Sequence, residues 1–474
     1  MPDLSPSERL ARNLLPIARI AGQHVRWNMD ERLAHHACPG VSVAVMQGGE
    51  LAWSAGYGHI EAGKPETVKA DTMFSGASIS KPAAAVLALQ LVERGVLNLD
   101  VDVNRYLKSW QVPDNEFTRK HPVTLRLLLC HKAGTTLHGF GAYKPEPPYP
   151  TALDILSKRV VFREDRITDG VTVDKVPGGT TRYSGGGTTV VQQMLEDVTG
   201  KPFHRLAREN IFEPLGMTRT TFEAPLPERY RGNTAVGHED GAILPEKFVY
   251  VPAIAAGAIY TTAADYARFM LGCRDAWLGK PKAILGRSVA QEMMTQQGDG
   301  EFGLGWELLG EGANRRFGHG GSNAGYQCES TCYLEKGDGA VVMTNADSGL
   351  VFYWEIFNGV ADMYGWQDFM LPEKRVQPIP ESDFPRYAGV YDIVSGVDAP
   401  EMRIWVLDGK LKSQVPGMRG GPRDLLMDQN GRFFSQTGPY ETAVTYDDAG
   451  NAFEMAVLRD GKTEIMRARR RKSA

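Results

Sequence analysis

The stretch that decides the fold reads Phe74-Ser75-Gly76-Ala77-Ser78-Ile79-Ser80-Lys81-Pro82 and runs on into Ala83-Ala84-Ala85-Val86-Leu87-Ala88-Leu89-Gln90-Leu91-Val92. Pro82 has no N–H to give, so a helix accepts it only in the first turn, where the backbone donors are unpaired in any case. The helix therefore starts near Ser78. It is apolar on nearly every face, which predicts burial at the centre of a domain, and Glu93-Arg94-Gly95 ends it with a glycine cap. Ser78 and Lys81 stand three residues apart, on one face and within hydrogen-bond reach. A lysine at the start of an apolar helix loses water, so its pKa falls and it can act as a base toward the serine hydroxyl. The helix N-terminus favours the negative charge that then develops. An accidental Ser-x-x-Lys is the bland alternative, and the motif's place at the opening of a buried helix behind a β-containing segment outweighs it.

Upstream, an apolar helical pattern spans Glu8 to about His36 and stops at Cys38-Pro39-Gly40, and Val41–Met46 and Leu51–Ala55 form a hairpin around Gln47-Gly48-Gly49-Glu50. Downstream, roughly Val123 to Leu285 alternates short helices with Gly/Pro-rich loops, of which Phe140–Pro150 is the most loop-like. Its Phe140, Tyr143 and Tyr149 are candidates for an acyl pocket, with plain loop packing as the alternative. Gly303–Leu308, Gln327–Leu334 and Ala340–Thr344 read as strands, so one sheet is expected to draw on both ends of the domain. We therefore expect a first domain over 1–370 and a Pro-rich linker over 371–383. A small antiparallel β-barrel should follow over 384–474, with turns at Asp408-Gly409, Asn430-Gly431, Asp447-Asp448-Ala449-Gly450 and Asp460-Gly461.

Two further stretches carry candidate chemistry. Tyr183 lies in Pro177-Gly178-Gly179-Thr180-Thr181-Arg182-Tyr183-Ser184-Gly185-Gly186-Gly187, read as a flexible exposed loop, from which a tyrosine can shuttle protons into a cleft or simply be a loop aromatic. Phe317-Gly318-His319-Gly320-Gly321-Ser322-Asn323 has the glycines that an edge strand needs for a ligand to approach its backbone, and the N–H of Ser322 is a candidate oxyanion donor. The bland reading there is a Gly-rich turn with a surface histidine.

Composition narrows the class. With 53 basic against 57 acidic residues the net charge is −4, which gives no pull toward nucleic acid. The basic run from Arg467 to Lys472 reads as a solvated chain end. Five scattered cysteines form no disulfide framework and fit free thiols in a reducing compartment, and Cys328 and Cys332 lack a second pair at zinc spacing. No apolar signal core or membrane span is read, so a cytoplasmic protein without membrane partners is expected. No serine sits in G-x-S-x-G, and H-E-x-x-H, Walker A and G-x-G-x-x-G are absent, which leaves metal-dependent and nucleotide-dependent chemistry without support. No cofactor is expected.

In order and context, the Ser-x-x-Lys, the Tyr-Ser loop and the His-Gly-Gly strand resemble the three motifs of the serine β-lactamase-like superfamily. The stretches Val123–His131, Glu213-Pro214-Leu215-Gly216-Met217 and Gly303-Leu304-Gly305-Trp306 are similar to segments of class C β-lactamases, D-aminopeptidases and family VIII carboxylesterases. The resemblance covers roughly residues 10–366. It implies a mixed α/β fold, an antiparallel sheet flanked by helices beside a helical lobe, with a lipocalin-like β domain from about Phe384. It further implies Ser78 as nucleophile, Lys81 and Tyr183 as general base and acid, and the N–H groups of Ser78 and Ser322 as oxyanion hole. His319, Gly320 and Gly321 stand where penicillin-recognising members carry Lys-Thr-Gly, as catalytic and substrate-binding positions. Two departures are His319 for that lysine and Gly185 for the asparagine that commonly follows the Tyr-Ser pair, and both point away from an efficient β-lactamase.

The expected function is a serine hydrolase of short-chain esters. A D-aminopeptidase or other amide hydrolase and a weak β-lactamase are the alternatives, and a binding protein without turnover is the reading from another class. The partner is a small ester or amide substrate, and the sequence leaves a homo-oligomer open.

Overall fold

The computed structural model describes residues 4–471 apart from 141–142, 144–146, 158, 162–166, 367, 398, 417–421 and 460. The chain forms two compact units, Leu33–Gly349 and a second that joins Met1–Arg32 to Leu350–Ala474.

The first unit is built on an antiparallel sheet. Its strands are β1 (Gly40–Gln47), β2 (Glu50–Gly58), β5 (Glu307–Leu309), β6 (Arg316–Gly318), β7 (Gly321–Asn323), β8 (Tyr326–Tyr333) and β9 (Gly339–Thr344), while β3 (Phe74–Ala77) and β4 (Ile259–Thr261) form a separate pair. The order β2-β1-β9-β8-β6-β5, with β7 paired to β8, places N-terminal strands beside C-terminal ones, as expected for a sheet fed from both ends. Val41 pairs with Thr344 of β9 and with Tyr57 of β2, so β1 is an interior strand, and its near-continuous apolar run suits burial on both faces.

Helix α1 (Lys81–Glu93) is preceded by a 3₁₀ turn at Ser78–Ser80, with Pro82 in its first turn as the sequence requires. It packs on α2 (Gly185–Thr199), and α3 (Ala263–Leu278) lies on β1, β2 and β9. Residues Ala83 to Leu89 are all buried, in a core shared with Val190, Met194, Tyr266, Trp306 and Phe317. Each buried leucine or valine contributes about 1.5–3 kcal/mol, so the element behind Ser78 is a rigid one. Gly305 explains the Gly-Leu-Gly-Trp stretch. A Cβ there would sit 2.4 Å from Ala85 Cβ, so glycine lets this loop close on α1, and its φ of +93° suits no other residue well.

The expected helix over Glu8–His36 is two short ones, Pro6–Leu10 and Met29–His35. Between them Leu14 bridges to Trp27, and Gly22 turns the chain at φ +81°. This segment belongs with the C-terminal half: Arg32 holds Glu355 through two contacts of 2.6 and 2.8 Å, both side chains buried, and Asn13 reaches Asp362 at 3.1 Å.

Beyond the helix Gly349–Tyr364, which carries Glu355 and Asp362, the second unit is built on one ten-stranded antiparallel sheet curled into a half-barrel, in keeping with the small barrel expected. From edge to edge it runs Val376–Gln377, Leu426–Asp428, Phe433–Phe434, Tyr440–Tyr446, Ala452–Arg459, Thr463–Arg470, Gly389–Ser395, Glu401–Leu407, Lys410–Gln414, Arg423–Asp424. Tyr391, Phe433, Met455 and Ala468 fill its core. The stretch read as a linker is built into it, because Val376–Gln377 pairs with Asp428 and Met427 and Lys374 Nζ meets Asp428 and Glu441 at 3.1 and 2.6 Å. The basic run is its last strand rather than a solvated end. Arg467 and Arg469 pair with Glu454, and Arg471 pairs with Glu401 at 2.9 Å, so the charges are compensated across strands. Lys472, the end of that run, and Asp460 of the last expected turn lie outside the described residues. Among the described residues no helix is long and apolar enough to cross a membrane.

Candidate active site

Strand β3 delivers Ser78. Its last residue, Ala77, sits at φ +49°, ψ −125°, a conformation an L-residue adopts only when its surroundings impose it. Ser80 Oγ donates to the Ala77 carbonyl at 2.6 Å and accepts the Ile259 N–H at 3.0 Å, which ties the strained turn to β4. Ser78 thereby turns out of the strand, half-buried, at the head of α1.

Lys81 lies one turn on, 4 % exposed, with Nζ 2.9 Å from Ser78 Oγ and 2.7 Å from the Ala256 carbonyl. Burial brings its pKa down to about 7. The neutral amine is a base and the ammonium is not, so kcat/KM for an uncharged ester should rise through a midpoint near pH 7. A pH–rate profile with no inflection between about 6 and 8 would contradict that role.

Tyr183 differs from its sequence reading. It stands half-buried just ahead of α2 and not on an exposed loop: Gly185–Gly187 are the first turn of that helix, buried, with Ser184 Oγ capping the Gly187 N–H at 2.9 Å. The glycines are there for close packing. A Cβ on Gly186 would lie 2.5 Å from the Thr136 carbonyl, and one on Gly185 2.7 Å from the ring of Phe140. The Tyr183 ring lies under Lys81 Nζ, 4.9 Å from centroid to nitrogen. Burial raises its pKa and a hydrogen bond with Ser78 offsets part of that, so the hydroxyl keeps its proton. Around it stand His131 at 4.4 Å, His138 at 5.0 Å, His319 at 6.1 Å and Phe302 at 6.2 Å, measured between ring centroids.

His319 is 2 % exposed, its backbone locked to Ser330 through both N–H and carbonyl. Nδ1 lies 2.6 Å from the Gly320 carbonyl, an acceptor, so the proton is assigned to Nδ1 and the buried Nε2 holds a lone pair with no protein partner. Burial, and next the nearby Lys81, hold its pKa to about 3, so it is neutral.

Two of the glycines beside it are required by the protein's own backbone, a reason the sequence reading did not include. A Cβ on Gly318 would stand 2.1 Å from the Ser330 carbonyl and one on Gly321 2.2 Å from that of Gly76. Only at Gly320 is the neighbour a side chain, Glu329 Oε2 at 2.9 Å. Strand β7 is fastened to β3 by Asn323, which donates to Ser75 Oγ and the Gly257 carbonyl at 2.9 and 3.0 Å, and it reaches the Ser78 turn. Ser322 lies on that strand with its side chain exposed and Oγ accepting from Gln327 at 3.0 Å.

Ser78 and Lys81, Tyr183 and His319, drawn from three distant stretches, thus converge on one site. Of the aromatics offered for an acyl pocket, Phe140 packs at Gly185, while Tyr143 and Tyr149 pack on Tyr250. His131, His138 and Phe302 were not singled out in the sequence, where no periodicity marks them. Among the described residues no group of three or more His, Cys, Asp or Glu is placed to hold a metal, and all five cysteines are free and buried.

Residues 25–353 match the Beta-lactamase family. The chain belongs to that family. Penicillin-binding protein 4 of Amycolatopsis lactamdurans is 26% identical over 395 residues, covering 79% of this chain and 98% of that protein. Esterase EstB of Burkholderia gladioli is 29% identical over 217 residues, 45% of this chain and 53% of the esterase. The octameric penicillin-binding protein homologue from Pyrococcus abyssi superposes with a TM-score of 0.60 at 18% identity, over 93% of this chain and 98% of that one, which shows the shared fold. The family is one of serine hydrolases that includes penicillin-binding proteins and esterases.

Proposed function

We propose that the protein is a carboxylesterase acting on short-chain esters through an acyl-enzyme on Ser78. The observation that carries this reading is His319. Where a carboxylate-binding site would present a cation, this site presents a neutral imidazole with a buried lone pair, which repels rather than binds a substrate carboxylate.

In the proposed sequence, neutral Lys81 takes the Ser78 proton as Oγ bonds to the ester carbonyl carbon, and the N–H groups of Ser78 and Ser322 receive the oxyanion. Tyr183 gives its proton to the departing alkoxide as the C–O bond breaks, and the Lys81 ammonium restores it. Water then enters where the alcohol left, loses a proton along the same pair and attacks the acyl carbon. The acid departs and Ser78 regains its proton.

Amide hydrolysis is the second reading, favoured by a protonated Tyr183 beside Ser78, since an amine cannot leave without a proton. Hydrolysis of ethyl butyrate and of D-alaninamide, each against a Ser78→Ala blank, separates the two. Butyrate release by the native protein alone, with no ammonia above the blank, is expected. The opposite pattern would replace esterase by amidase, and no release from either would remove both.

A further inference from the structure

His131 is placed to control Tyr183. It follows the short helix Leu125–Leu129 at φ +58° and grips the tyrosine's backbone on both sides: its carbonyl accepts the Arg182 N–H at 2.8 Å and its Nδ1 accepts the Ser184 N–H at 3.3 Å. Only the two side-chain torsions of Tyr183 remain, and the imidazole lies against that ring at 4.4 Å with an interplanar angle of 38°. Phe302 backs the imidazole edge-on at 4.8 Å. The ring is 4 % exposed, and burial, then Lys81, His319 and His138, hold its pKa well below the ordinary value. It stays neutral, so Nδ1 keeps the lone pair that the Ser184 N–H needs.

We propose that His131 is a positioning residue that holds the Tyr183 hydroxyl at Ser78 for proton delivery to the leaving group. This rests on the acyl-enzyme reading above and adds a residue to it. A p-nitrophenolate leaves without a proton, whereas an ethoxide needs one, so a displaced Tyr183 should cost turnover of alkyl esters far more than of activated aryl esters. A general loss of structure would lower both alike.

The test compares kcat/KM for ethyl butyrate and p-nitrophenyl butyrate in His131→Leu and His131→Asn, with Tyr183→Phe as reference. The leucine variant fills the space without an acceptor. The asparagine variant tolerates the positive φ and offers Oδ1 to the Ser184 N–H, but brings no ring. General acid catalysis contributes about 10²–10⁴-fold, so His131→Leu should lose about 10²-fold on the ethyl ester and less than about 5-fold on the aryl ester, with His131→Asn between it and the native protein. Should the leucine variant fail to fold, a larger loss on the ethyl than on the aryl ester in His131→Asn still supports the proposal. Equal losses on both esters, or none, overturn it. If Tyr183→Phe is itself blind to the leaving group, the role of Tyr183 falls and the proposal with it. If Tyr183→Phe discriminates and the His131 variants do not, the proposal alone falls.

Discussion

Replacing Lys81 by methionine is expected to abolish turnover and, at the same time, to stabilise the fold. The amine is the base nearest Ser78 Oγ, and its loss removes a contribution of about 10²–10⁴-fold from general base catalysis alone. Stability moves the other way. Burial takes the lysine from its ordinary 10.5 to about 7, so between those pH values the unfolded chain holds a proton that the folded one must give up. At about 1.4 kcal/mol per pH unit this opposes folding by on the order of 4 kcal/mol at neutral pH, and the opposition fades as pH rises toward 10.5. Methionine fills the same space and is uncharged. It also forfeits the hydrogen bond to the Ala256 carbonyl, a cost of about 1–3 kcal/mol. The net gain at neutral pH is about 1–3 kcal/mol, seen as a melting temperature a few degrees higher at pH 7.5, and at pH 10, where the burial penalty is nearly gone and the lost hydrogen bond remains, the variant should melt no higher than the native protein. A Lys81→Met protein that melts lower at both pH values would mean the lysine is not held neutral by burial.

How much of this was legible in the sequence depends on how local the determining physics is. Pro82 and the apolar run from Ala83 fixed the start of α1 and its burial, because helix sterics and facial periodicity act within a few residues. The contact of Lys81 with Ser78 followed from spacing alone. Tyr183 was named but misplaced. Three consecutive glycines read as a flexible loop, yet the segment around Thr136 packs so closely that glycine is what lets α2 begin there. That partner lies some fifty residues away and leaves no local mark. His131 is the sharper case, since its two backbone grips and its ring contact all run to residues 182–184. The positive φ of Ala77 was equally hidden, because neither glycine nor asparagine marks the position. In the second unit, charge patterning misled: Arg467 and Arg469 look like a solvated tail until Glu454 is placed beside them across the sheet.

The glycines of the His-Gly-Gly strand give the second large prediction. Gly321→Ala should cost both activity and stability, and Gly320→Ala should cost little of either. A methyl group on Gly321 would meet the Gly76 carbonyl at 2.2 Å and Cys328 Sγ at 2.5 Å, while Cys328 itself donates to that carbonyl at 3.2 Å. Gly76 cannot retreat, because its own Cβ position is crowded by Ile259 and Ile79 at 2.7 Å. The strain therefore falls on the spacing between β7 and β3, the two strands that carry Ser322 and lead into Ser78. Overpacking of this kind costs about 1–3 kcal/mol. Moving one proposed oxyanion donor away from the other removes about 10²–10³-fold in kcat, with KM for a neutral ester changed much less. At Gly320 the nearest atom is Oε2 of the Glu329 side chain, whose other oxygen accepts the Ser330 N–H at 2.9 Å, so a methyl group there is met by a small shift of that carboxyl and not by moving either strand. Retained turnover in Gly321→Ala beside an impaired Gly320→Ala would show that the ligand, and not the strand spacing, is what these glycines serve.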